Sequence, residues 1–155
     1  MPVQKLKKYL DDNLVPYATI THSPAYTAQG IASVAHIPGR ELAKSVIMKV
    51  DGRLAMMVLP AMERVDTVAF QHAIGAKRVA IANERDFEDA FPGCEVGAMP
   101  PFGNLWDVPV YVGESLTEDE LIAFNAGSHT ELIQMMYEDF ERLVKPTVVP
   151  THAPV

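Results

Sequence analysis

An Asp-Gly pair at positions 51 and 52 separates two apolar runs, "ELAKSVIMKV" and "RLAMMVLPA", and it restricts this stretch to one geometry. Both central residues of a type I′ turn need positive φ, which Gly accepts without steric cost, so the pair predicts a two-residue hairpin over residues 43–60. Val50 then faces Arg53 and Lys44 faces Leu59, because partners across a hairpin recede from the turn in equal steps. Side chains alternate along a strand, so Lys44 shares a face with Val46, Met48, Ala55 and Met57. A cation at the entry to an apolar face either snorkels out of the strand end or is held inward to meet an anion. Lys49 falls on the opposite face with no anion assigned to it and reads as scaffold.

The flanking segments carry local signals of both regular structures. "PVQKLKKYLDDNL" spaces Val3, Leu6, Tyr9 and Leu10 as one face of a helix, and residues 16–22 read as a strand ending at Ser23-Pro24. A second helix is predicted over 27–37, capped by Thr27 and ended by Pro38-Gly39, and a third after Asp66, ended by Gly75. "KRVAIA" reads as a strand, "ERDFEDAF" as a short helix stopped at Pro92-Gly93, and "CEVG" as a brief extended piece. The Gly/Pro-rich loop "GAMPPFGN" follows. "DVPVYVG", "LIAFNAG" and "HTELIQMM" read as strands and "YEDFERLV" as a closing helix. Thr117 and Glu120 also fit a capping box, which gives "TEDELIAF" a helical alternative. Hairpins outnumber strand-helix-strand units, so the fold class is α/β of the α+β type: a mixed, largely antiparallel sheet with flanking helices.

With 155 residues the chain is long enough for one core and too short for two ordinary domains, so a single domain over 1–155 is expected. Three prolines in 146–155 predict a loose C-terminal tail. The single cysteine, Cys94, has no internal disulfide partner, and the N-terminal stretch lacks the apolar core of a secretory signal, so a cytoplasmic location is expected, with no membrane partner. The formal net charge of −7 argues against non-specific nucleic-acid binding, yet it is unevenly spread. Residues 1–83 hold ten Lys/Arg against six Asp/Glu, and residues 84–155 three against fourteen, which leaves room for a cationic face.

The common catalytic signatures are missing: no HExxH, no paired CxxC, no phosphate loop and no Gly-x-Ser-x-Gly elbow. The histidines at 22, 36, 72, 129 and 152 lack a metal-ligand spacing, so no metal and no cofactor is expected. Cys94 reads either as a small buried apolar residue or as a nucleophile, and Ser128-His129 as a weak hydrolase signal; either would make a small-molecule esterase a third reading. Three features carry more. Lys44 is one. Gly97-Ala-Met-Pro-Pro101 is the second, two prolines stiffening a loop whose glycines permit close approach of a ligand to backbone. Gly127-Ser128-His129, a Gly turn followed by an imidazole at a strand entry, is the third. Each also has a plain structural reading: surface lysine, loop, and turn with a hydrogen-bonded histidine.

Taken in order, these pieces resemble the YbaK/prolyl-tRNA synthetase-associated family of aminoacyl-tRNA editing domains. "HSPAYTAQGIASVAHIPGRELAKSVIMKVDG" is the most specific part: Lys44 falls on the family lysine, Gly97 to Pro101 on its Gly-x-x-x-Pro loop, and "AGSHTELIQM" on its late Gly-Ser-His strand. Ser45 stands where threonine is common. The resemblance implies a trans-acting deacylase that hydrolyses the ester of a mischarged tRNA, with tRNA for proline carrying a small wrong amino acid as the expected substrate. It implies catalytic roles for Lys44, Gly97 and His129 and substrate contacts for Ser45, Met99, Pro101, Gly127 and Ser128. Partners are then the aminoacylated acceptor end of tRNA and prolyl-tRNA synthetase. Arg40, Lys77 and Arg78, with Lys5, Lys7 and Lys8, are candidate tRNA contacts, a solvated surface being their default role. Met48, Met56, Met57 and Met99 are candidate pocket walls or ordinary core. The competing reading is a non-catalytic module of the same fold that binds a tRNA end or a synthetase.

Overall fold

A computed structural model describes residues 2–22, 37, 40–87, 89–92, 94–95 and 98–150. The chain runs α1 (Pro2–Asp12), β1 (Tyr17–Thr21), β2 (Leu42–Val50), β3 (Arg53–Pro60), α2 (Thr67–Ile74), β4 (Val79–Ile81), α3 (Glu84–Phe87), β5 (Val110–Gly113), β6 (Leu121–Asn125), β7 (Glu131–Met136), α4 (Tyr137–Val144) and β8 (Thr147–Val149). The helix expected over 27–37 falls mostly outside the described residues, as do residues 96 and 97 of "CEVG", whose Cys94 and Glu95 belong to no strand.

The eight strands among the described residues belong to one mixed sheet of order β1-β7-β6-β2-β3-β5-β8, with β4 also paired to β2. The β1/β7, β6/β7, β2/β3 and β2/β4 pairs are antiparallel, and β2/β6, β3/β5 and β5/β8 are parallel. The hairpin has the expected register, Val50 opposite Arg53 and Lys44 opposite Leu59. Asp51 and Gly52 take φ of 50° and 84°, the two positive values a type I′ turn demands. Asp66 caps α2 by accepting the Ala69 N–H at 3.0 Å, and Gly75 closes the helix at φ 68°.

Alternation along β2 divides the core. Ala43 and Ile47 join Leu6, Leu10, Phe102, Phe124 and Phe140 on the face covered by α1 and α4. Met48 joins Met57, Leu59 and Phe70 beneath α2 on the other face, and Leu42 packs there with Ala61, Ala123 and Leu132. Three expectations need correction. Residues 147–149 of the expected loose tail form β8, parallel to β5, because Val149 has a buried seat beside Phe70. The helix from Glu84 ends at Phe87 rather than running to Phe91, whose ring packs edge-on against Trp106 at 5.3 Å. The capping-box alternative gives way to a 3₁₀ turn over Glu114–Glu118, where Thr117 Oγ1 donates to the Glu114 carbonyl at 2.6 Å, followed by strand β6.

Candidate functional site

The most distinctive geometry surrounds the first half of β2. Its N-terminal end pairs with β6 through Leu42–Ala123 and Ala43–Phe124, and its C-terminal end pairs with β4 from Met48 onward. Between these partners lie residues 44–47. β6 ends at Asn125, and the chain turns there through Gly127 at φ 103°, a value that favours glycine. The exchange of neighbours leaves a gap between the end of β6 and β4 along this edge of β2. Lys44 stands in this gap, on the same face as Leu42 and Leu59. Burial, then the Arg64 cation, hold its ammonium below the ordinary lysine range, with Glu63 acting in the opposite direction. Among the described residues no carboxylate forms a salt bridge with it.

The Gly127-Ser128-His129 turn is tied to the loop that precedes Pro101. The Gly127 N–H donates to the Ala98 carbonyl at 2.9 Å, and the Glu95 N–H donates to the Gly127 carbonyl at 2.9 Å. Glu95 also reaches back: its Oε2 accepts the His129 N–H at 3.0 Å and stands 3.8 Å from His129 Nε2. His129 is 9% exposed, so this turn is a built feature rather than a loose loop. Ser128 Oγ lies 3.3 Å from Thr130 Oγ1 and accepts the Thr130 N–H at 3.4 Å, bonds that shape the turn. The Thr130 carbonyl accepts the His22 N–H at 2.8 Å, which brings the buried His22 to the same end of the sheet.

Other expected residues are placed differently. Gly97 lies outside the described residues. Ser45 follows Lys44 and therefore points to the opposite face with Ala43 and Ile47, away from the lysine. Met99, 5% exposed, packs in the core with Phe102, and Met48, Met56 and Met57 are likewise core, so these thioethers fill gaps rather than line an open pocket. Pro101 is buried, and its ring fixes the backbone of the loop. Lys49 Nζ pairs with Asp86 Oδ1 at 3.1 Å; the Asn83 N–H and then this lysine hold the Asp86 carboxyl below its ordinary range. Burial pushes the Cys94 thiol up to about 11, the wrong direction for a nucleophile.

The cationic candidates also separate. Arg40 borders a cleft of about 610 Å³ that also carries Glu41, Glu63, Glu118 and Asp119, an acidic setting that repels phosphate. Lys77 and Arg78 are exposed, with their backbone N–H groups fixed by Asp51 Oδ1 at 2.9 and 2.7 Å. They flank a depression of about 360 Å³ with Lys49. Lys7 is committed to Glu131 at 2.7 Å, and Lys5 donates to the Leu105 carbonyl while lying 5.3 Å from the Trp106 ring centroid. Glu95 is the site residue that sequence reasoning missed: it is one of fourteen C-terminal acids, and only the fold brings it to a histidine 34 residues away.

The chain belongs to the aminoacyl-tRNA editing domain family, whose model matches residues 22–143. It is 26% identical over 152 residues to the Escherichia coli K12 multifunctional Ser/Thr-tRNA deacylase ProXp-y, covering 94% of this chain and 90% of that protein. The prolyl-tRNA editing protein ProX of Acetoanaerobium sticklandii is 25% identical over 142 residues, covering 88% and 86%. The fold matches a protein crystallised as a candidate trans-editing enzyme for prolyl tRNA synthetase, with TM-score 0.81 at 16% identity over 99% of this chain and 98% of that one.

Proposed function

We propose that this chain is a trans-acting aminoacyl-tRNA deacylase, hydrolysing the ester between a small wrong amino acid and the terminal adenosine of tRNA for proline. The observation that carries the reading is the juxtaposition, in an editing-family chain, of two features: a half-buried lysine that makes no salt bridge among the described residues, and the braced Gly127-His129 turn. An aminoacyl ester is already activated, so the site has to hold it, place a water and stabilise the oxyanion that develops. Water adds to the ester carbonyl carbon, the tetrahedral adduct expels the ribose oxygen, and that oxygen takes a proton to become the free tRNA hydroxyl.

Lys44 supplies positive charge for the terminal phosphate or the developing oxyanion, in surroundings where partial desolvation strengthens the attraction. His129, held by Glu95, is the polar neighbour that orders the attacking water or the substrate. Gly97 is proposed, on the family motif, to offer backbone donors to the aminoacyl group, with Pro101 keeping its loop rigid. Discrimination rests on a pocket too small for the correct amino acid, since a synthetase cannot exclude smaller ones by binding alone. Lys77 and Arg78 are proposed to meet the acceptor-stem phosphates. Prolyl-tRNA synthetase is the proposed source of the mischarged substrate, and the cytoplasm the proposed location; no described helix is long and apolar enough to cross a membrane.

The test is deacylation of a panel of mischarged tRNAs by wild type and by Lys44→Ala, with folding checked by circular dichroism. Release of at least one amino acid by wild type, lost in the folded variant, is the expected result. Binding without release across the whole panel would instead identify a non-catalytic module.

A further inference from the structure

Asn125 is the last residue of β6 and lies opposite Leu132 of β7. The register of β6 with β2, Leu42 beside Ala123 and Ala43 beside Phe124, continues one step to set Asn125 beside Lys44 on adjacent strands. Adjacent strands lie about 4.8 Å apart, so the two side chains leave the same sheet face as near neighbours. Alternation agrees, since Leu42, Ala123 and Leu132 pack together on this face. The Asn125 side-chain carbonyl Oδ1 is buried and accepts no hydrogen bond from the described residues. An acceptor withdrawn from water and left unmatched costs on the order of 1–3 kcal/mol, a cost that is offset when a ligand, an ion or an ordered water supplies the missing donor.

Resting on the deacylase reading, we infer that Asn125 is a specificity-determining residue whose Oδ1 accepts a hydrogen bond from the protonated α-amine of the aminoacyl group. The two neighbours then divide the substrate by charge. Lys44 meets the anionic side of the ester or phosphate, and Asn125 takes the cationic amine two covalent bonds from the reacting carbonyl. This places the scissile ester between Lys44 and the Gly127 turn, which begins two residues after Asn125. Ser45 Oγ is buried and unmatched as well, but it faces the α1/α4 core and is not available to the same ligand.

A site built to pair with an N–H discriminates strongly against an ester that lacks it. The experiment compares the aminoacyl-tRNA that wild type hydrolyses fastest, among alanyl-, seryl- and threonyl-tRNA for proline, with its des-amino acyl analogue, which carries no donor on the α-carbon. Asn125→Ala should lower kcat/KM for the aminoacyl ester by roughly 10- to 100-fold, the worth of one hydrogen bond to a charged group, and leave the des-amino ester within about twofold. Asn125→Asp, which keeps an acceptor, should recover most of the aminoacyl activity. Equal loss on both esters, or loss on neither, overturns the inference. Binding of amide-linked 3′-aminoacylamino-adenosine and its des-amino analogue, followed by calorimetry, reads the same interaction without turnover. If wild type hydrolyses no ester but prefers the amino form and Asn125→Ala abolishes that preference, the deacylase reading fails and the Asn125 assignment stands; no preference in wild type overturns the assignment.

Discussion

Lys44 is where activity and stability pull in opposite directions. Its ammonium is held below the ordinary lysine range by burial, so the unfolded chain binds that proton more tightly than the folded one. The resulting cost to folding is fully present at neutral pH and is relieved only as pH rises through the lysine range. Lys44→Met should therefore raise the melting temperature at pH 7, with a gain that shrinks in the alkaline range, while deacylation falls by roughly 100-fold or more. A variant that loses stability along with activity would mark the lysine as structural. Gly103 offers a contrasting test: a Cβ there would come within 2.7 Å of the Val108 carbonyl oxygen, so Gly103→Ala should destabilise by about 1–3 kcal/mol in urea unfolding. Glu95→Ala removes the carboxylate that holds the His129 N–H and should lower kcat more than stability. At this scale Lys44 is legible because hairpin alternation is local, whereas the pairing of Glu95 with His129 is not, because it depends on chain closure across 34 residues.

Among the elements, the β2–β3 hairpin and α2 are fully legible, since turn, register and caps are written within a few residues of one another. Asp66→Ala should cost about 1 kcal/mol by removing the acceptor of the Ala69 N–H, measured by thermal unfolding. Elements whose existence depends on distant partners are not visible in the sequence. β8 is three residues between prolines and forms because β5 presents an open parallel edge and Phe70 a buried seat for Val149. The Glu114–Glu118 turn mimics a helix start in sequence, and only the demand of β6 for a place between β2 and β7 decides against it. The site follows the same division. Lys44, Gly127 and His129 stand out in short motifs, while Ser45, adjacent to Lys44 in its motif, is carried to the opposite face by strand alternation.

On the scale of the whole molecule, charge governs both stability and the meeting with tRNA. Asp119 has a carboxyl raised above its ordinary value by burial and then by Glu41, and its buried Oδ2 accepts no hydrogen bond from the described residues. The folded chain thus binds this proton more tightly, and the stability it lends is lost as pH rises through the raised value. Asp119→Asn should accordingly stabilise at pH 7, with the gain fading as pH falls toward the ordinary carboxyl range of about 4. An acidic protein must concentrate its cations to hold a polyanion, so Lys77→Ala with Arg78→Ala should weaken tRNA binding and reduce the salt slope by about one unit for each phosphate no longer neutralised. The most direct measurement is release of amino acid from mischarged tRNA for proline by wild type, Lys44→Ala and Lys49→Ala side by side. The account predicts turnover by wild type and by Lys49→Ala and none by Lys44→Ala; equal turnover by all three, with all folded, would contradict it.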